Sequence, residues 1–190
     1  MLLNGFANQY ITRELETQGI ITLISSFGTW IKYISAEYYD WTKRYGGKLK
    51  SFSALAELKI LSSIEKPLEA AFGSLFDGFP EPTVEELYAS GSKYIDPSFS
   101  GEAIISAAEL DHAAHLGYDG GLNVMPFTCM PSNIVRGVMP LLEAKYPDFP
   151  LAHLEFDGSE SPVHNELVEG FVYQVHRNFE TKRDRAASAH

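Results

Sequence analysis

The sequence predicts an α/β fold, a three-layer Rossmann-like domain with a mostly parallel sheet of about three to four strands and a helical insertion. Three observations predict it. Strand-like runs at residues 20–24, 122–125 and 151–156 alternate with helix-period segments. Residues 26–96 carry helical periodicity and no strand signal, as an insertion or lid would. The chain has 190 residues, 45% of them hydrophobic and 21% charged, which suits one fair-sized domain with a helical appendage.

In order, Asn4 caps a helix over 5–18 on Phe6, Tyr10, Ile11 and Leu15, and Gly19 stops it. Ile20-Ile21-Thr22-Leu23-Ile24 reads as a strand by its β-branched content. A helix of such a unit normally lies between two strands, yet only Met1-Leu2-Leu3 precede the first capping residue. The chain is therefore expected to be a C-terminal fragment of a longer protein. Phe27, Trp30, Ile31, Ile34, Tyr38, Trp41 and Tyr45 give a helix over 26–45 with an aromatic face. That face suits a core or inter-subunit surface better than a cofactor-stacking box. Gly46-Gly47 ends the helix.

A second apolar helix runs over 53–76, and Pro67 should kink or split it. After a loop at 77–82, Thr83 and Glu86 form a capping box for a helix to about residue 90. A loop at 96–101 leads to a helix over 102–116 that Gly117 stops. The strand 122–125 runs into the loop Pro126-Phe127-Thr128-Cys129-Met130-Pro131, and Ser132 or Asn133 caps a helix to Tyr146. Residues 151–156 alternate as a strand and end in Asp157-Gly158. A last amphipathic helix uses Val163, Leu167, Phe171 and Val175, and residues 179–190 read as a polar, disordered tail. The expected organisation is an α/β core of 1–25 and 97–178 around a helical insertion, 26–96.

A formal net charge of −10, from 15 basic and 25 acidic residues, argues against nucleic acid or an anionic membrane surface as partner. The single cysteine cannot form an internal disulfide, which favours a reducing, cytoplasmic home. Neither a signal peptide nor an apolar run of about 18 residues is read in the sequence.

Cys129 is the leading site candidate. A lone cysteine is commonly a small buried hydrophobe. This one lies in a loop bracketed by prolines, between a strand and a helix amino terminus that favours a thiolate. His112, His115, His153, His164 and His176 are the candidate bases for a thiol nucleophile, none at a telling spacing. His112 and His115 share a helix face as a metal pair would, but nothing at matching distance completes it. Asp157-Gly158 reads as a turn with a cap, or as an acid lining the cleft. Gly120-Gly121 precedes its strand, on the wrong side for a phosphate cradle, and no standard nucleotide motif occurs.

Three segments resemble the carboxyl-terminal domain of the benzoyl-CoA reductase / 2-hydroxyglutaryl-CoA dehydratase family, closest to its long dehydratase-activator-related proteins. They are Asn4-Gly5-Phe6-Ala7-Asn8 with Leu15-Glu16-x-x-Gly19; Gly120 to Ser132 with Pro126-Phe127-Thr128-Cys129-Met130-Pro131; and Leu154-Glu155-Phe156-Asp157-Gly158 followed by Glu169-Gly170-Phe171-Val172. The resemblance implies Rossmann-like domains that jointly hold an iron–sulfur (4Fe–4S) cluster through cysteines from separate segments. It makes Cys129 one ligand, both the metal-binding and the cofactor-binding residue of this chain. It also implies an ATP-driven, low-potential electron transfer to an acyl-CoA dehydration or reduction. The chain departs from the pattern in lacking the other cysteines. By itself it is expected to bind no cluster and to be catalytically inert. Its expected partners are other domains of the parent chain or a partner subunit, an acyl-CoA, and a second copy of itself. The rival expectation is a non-catalytic interaction domain with a structural Cys129 and a docking helix at 26–45.

Overall fold

The computed structural model describes residues 8–72, 82–99, 101–159 and 162–188. The elements run α1 (Ile11–Thr17), α2 (Phe27–Trp41), a π-helical turn (Thr42–Gly46), α3 (Lys48–Phe72), α4 (Val84–Gly91), a 3-10 turn (Pro97–Phe99), α5 (Ala103–His115), β1 (Gly121–Pro126), α6 (Met130–Lys145), β2 (Leu151–Phe156) and α7 (Pro162–Ser188). The protein is thus α/β, mostly helical with a small parallel sheet. The chain forms two compact units, residues 1–24 with 90–190, and residues 25–89.

In the first unit β1 and β2 pair in parallel, Gly121 opposite Leu151 through Pro126 opposite Phe156. Alternation sends successive side chains to opposite faces. Leu122, Val124, Ala152, Leu154 and Phe156 join Ile11 and Leu15 of α1 and Val168, Phe171, Val172 and Val175 of α7. On the other face Leu151 packs with Ala103, Ile104 and Ala107 of α5 and Val135 and Met139 of α6. Gly120 and Gly121 are required by this packing. A Cβ on Gly120 would lie 2.7 Å from Val175 Cγ2, and one on Gly121 2.8 Å from Leu110 Cδ2 and Leu151 Cδ2.

The sheet has two strands among the described residues, not three or four. The missing one is 20–24, which forms no strand. Its first residue is used by the end of α1. Gly19, at φ +81°, donates its N–H to Glu16 O, and Ile20 donates to Leu15 O, a Schellman stop. Ile20 packs on the α1–α7 cluster, while Ile21, Leu23 and Ile24 are exposed. β-branched residues favour a strand only where a pleated, half-buried surface receives them, and this segment has no ladder.

Other boundaries shift for local reasons. The proposed cap Asn4 lies outside the described residues, and the described helix begins at Ile11 after Gln9 and Tyr10, both at positive φ. Tyr10 N–H is satisfied by Asn8 Oδ1 at 3.1 Å. α3 begins at Lys48 and runs through Pro67 as one helix instead of splitting there. The loop at 77–81 lies outside the described residues. The capping box forms: Thr83 N–H donates to Glu86 Oε2 (2.8 Å), and Glu86 N–H donates to Thr83 Oγ1 (3.2 Å). α7 continues to Ser188, ten residues past Asn178, so the described part of the supposed tail is helical. Polar contacts fix that extension. Asn178 Nδ2 donates to Asp119 O (3.0 Å), and Lys182 Nζ donates to Gly117 O and Tyr118 O (2.8 Å each) and pairs with Asp119 (3.0 Å).

The second unit is an α2–α3 hairpin joined by the π-helical turn, with the first part of α4. Thr29, Tyr33 and Ser35 of α2 and Thr42 of the π-helical turn are buried in it, with Ala54 of α3 and Val84 and Leu87 of α4. The aromatic stripe is therefore not core. Phe27, Trp30, Tyr38, Trp41 and Tyr45 are all exposed, and Tyr33 with the small side chains of Thr29, Ser35 and Thr42 takes the inside.

Candidate site at the carboxyl end of β1

β1 ends at Pro126 and α6 starts at Met130, so only Phe127, Thr128 and Cys129 connect them. Cys129, and not Ser132 or Asn133, is the N-cap residue. Its backbone is extended, its carbonyl accepts the Asn133 N–H at 3.0 Å, and Pro131 occupies the first turn, where a missing N–H costs nothing. The Cys129 N–H closes a turn on Pro126 O at 3.1 Å. Thr128, the third residue of that turn, sits at φ +60°, a conformation that glycine or asparagine normally fills and a β-branched residue rarely adopts. Its N–H is held by Glu155 Oε1 at 3.0 Å, reaching across from β2. Strain of about 1–3 kcal/mol at such a residue is kept where the surroundings impose it.

The thiol is free and half-buried and makes no capping hydrogen bond. It sits at the amino terminus of a 16-residue helix, the end whose unpaired backbone N–H groups carry partial positive charge.

A second group lies on the α6 side of the sheet. Asn123 and His153 are opposite one another in the ladder. Asn123 Nδ2 donates to Ser132 O (3.3 Å) and to His153 Nδ1 (2.9 Å). An amide nitrogen has no acceptor lone pair to offer, so Nδ1 accepts and the neutral ring carries its proton on Nε2. That Nε2 is buried and has no hydrogen-bond partner. Burial, then the Arg136 charge, lowers the His153 pKa, and Glu155 opposes them. The signal for this pair was Asn123 itself, a polar residue inside an apolar strand.

The remaining candidates are not gathered here. His153 is engaged by Asn123 and not by Cys129. His176 contacts Gln18 O at 2.9 Å, behind the sheet's other helix layer, and the His164 side chain lies outside the described residues. His112 and His115 lie in the last turn of α5 without a third ligand. Asp157 Oδ1 accepts from Ser159 N–H (2.8 Å) and Oγ (2.6 Å), the turn arrangement. Among the described residues no three His, Cys, Asp or Glu side chains gather as a metal site. A four-iron cluster is held by four thiolates, so the residues present do not fit a complete cluster. They contain one thiol, that of Cys129. Among the described residues no helix is long and apolar enough to cross a membrane. No family model, curated protein or solved structure matches the chain.

Proposed function

We propose that this chain is the carboxyl-terminal domain of a 2-hydroxyacyl-CoA dehydratase activator-related iron–sulfur protein, in which Cys129 is one ligand of a cluster completed by cysteines outside this chain. The observation that carries the reading is the seat of Cys129. A free, half-buried thiol caps α6 at the carboxyl end of a parallel strand, behind a turn held in an unfavourable conformation. Open α/β sheets bind their ligands at that end. In this reading β1 and β2 are part of a wider three-layer Rossmann-like sheet, since parallel strands are normally buried among neighbours. The cluster would serve ATP-driven, low-potential electron transfer in the complete, cytoplasmic assembly, with an acyl-CoA as the final acceptor.

Anaerobic reconstitution with iron and sulfide tests the proposal. This chain alone should stay colourless. The complete cysteine-bearing protein should gain visible absorbance and iron, and Cys129→Ser should lose both while keeping its far-ultraviolet circular dichroism. Equal iron in wild type and Cys129→Ser would overturn it. The alternative, an interaction domain with a structural Cys129, draws on one specific observation, the exposed aromatic face of α2.

A further inference from the structure

Five exposed residues of α2 and its π-helical turn, with the half-buried Ile31, follow a helical repeat, and the exposed Trp30 lies beside it. Phe27, Ile31, Ile34, Tyr38, Trp41 and Tyr45 are spaced four, three, four, three and four apart, the alternation by which one helix packs along another. Ring contacts make the stripe continuous. Tyr38 and Trp41 stack with centroids 6.4 Å apart, and Trp41 and Tyr45 lie 6.0 Å apart, so the π-helical turn keeps Tyr45 on the same face. The side that α2 buries within its own unit is elsewhere and is built from Thr29, Tyr33, Ser35 and Thr42.

We propose that this seam is the interface between two copies of the chain, with α2 packed antiparallel on α2 of the second copy. Three features favour that occupant. The first is area. From the exposures of these residues and Trp30, about 700 Å² of mostly aromatic surface is open. Monomers rarely expose a contiguous apolar patch above a few hundred Å², and each side of a standard interface contributes about 800 Å².

The second is the hairpin itself. α3 also exposes Leu49, Phe52, Ile60 and Ile64. A helical hairpin that leaves apolar residues exposed on both helices can be completed by an identical hairpin, as the halves of a four-helix bundle are.

The third is charge. Glu37 and Arg44 flank the seam one heptad apart on the same side, each just before a seam residue, and both also act on Tyr88 of α4 in their own unit. On the other flank Ser35 and Thr42 are buried within the unit. Antiparallel helices set like flanks against each other, so Ile34 and Tyr38 meet Tyr45 and Trp41 of the second copy, and Glu37 meets its Arg44. In a parallel pair each charged flank would face the buried one. The segment 27–45 carries three basic and two acidic residues, so the chain's net charge of −10 is not concentrated at this contact.

Sedimentation equilibrium of the full chain tests this. The wild type should be a dimer with a dissociation constant in about the micromolar range. Trp41→Glu and, separately, Tyr38→Lys should weaken it by about a hundredfold or more with helical circular dichroism unchanged. Glu37→Arg alone should weaken it about tenfold, and Glu37→Arg with Arg44→Glu should restore it. A chain that stays monomeric up to about a hundredfold above that range, a dimer indifferent to both seam substitutions, or a double charge swap no better than the single one would overturn the proposal.

Discussion

Asp111 offers the most quantitative test of how the first unit is held together. It is buried at 6% exposure and accepts hydrogen bonds from Lys145 Nζ (2.7 Å), Ser90 Oγ (2.6 Å) and Tyr94 OH (2.5 Å). It therefore joins the end of α4, the turn after it, and α6 to α5. Burial raises its pKa, but the bonds from Lys145, Ser90 and Tyr94 outweigh burial and bring it from 3.8 down to about 2. That shift corresponds to roughly 2 kcal/mol of stability at neutral pH. The acid sets this figure because the Lys145 side chain is 44% exposed and water screens it.

Asp111→Asn should therefore destabilise the unit by roughly 2–3 kcal/mol, a fall in melting temperature of roughly 10 °C. The sign with pH follows from the depressed pKa. The contribution is complete above the unfolded value near 3.8 and is lost as pH falls toward 2. Urea denaturation of both proteins at pH 7, 3 and 2 should show the gap roughly halved at pH 3 and mostly gone at pH 2. A gap below about 1 kcal/mol at pH 7, or one of constant size down to pH 2, would refute the assignment.

Two further predictions concern packing and anchoring. Gly91→Ala places a Cβ 2.3 Å from Ile104 O and 2.6 Å from Ile104 Cγ2, where α4 ends against α5. It should cost about 1–3 kcal/mol in denaturant melts, and a neutral result would mean that the two helices can separate freely. Lys182→Ala removes the cation that holds Gly117 O, Tyr118 O and Asp119. It should speed hydrogen exchange across the turn into β1, with a loss of about 1–2 kcal/mol. Unchanged exchange at 117–121 would show that the turn holds itself.

Local signals were legible in the sequence wherever the physics was local. The Thr83–Glu86 box, the stop at Gly19 and the two strands around α6 depend on neighbouring residues and on simple alternation. Tertiary demand was not legible. Residues 20–24 have strand composition but no partner strand. The stripe on α2 has core composition, yet the unit places Thr29, Tyr33, Ser35 and Thr42 on the inside. At the site, the importance of the 126–131 loop was readable from its two prolines and single cysteine. Placing the cap on Ser132 failed because Thr128 takes a conformation its side chain disfavours, which shortens the loop and brings Cys129 to the helix start. The Asn123–His153 pair depends on ladder register, which composition does not encode.

The extension of α7 separates what makes a helix from what makes it necessary. Every buried apolar residue described on α7 lies before Asn178: Val168, Phe171, Val172 and Val175. By hydrophobicity the last turns could be trimmed at no cost. Yet three side chains along the helix reach three different connections, His176 to the end of α1 at Gln18, Lys182 to the turn before β1, and Arg185 to Asp148 before β2 at 3.1 Å. α7 acts as a splint across the amino-terminal side of the sheet, opposite the edge where Cys129 sits. Shortening it would leave the core filled and loosen the connections that lead into both strands.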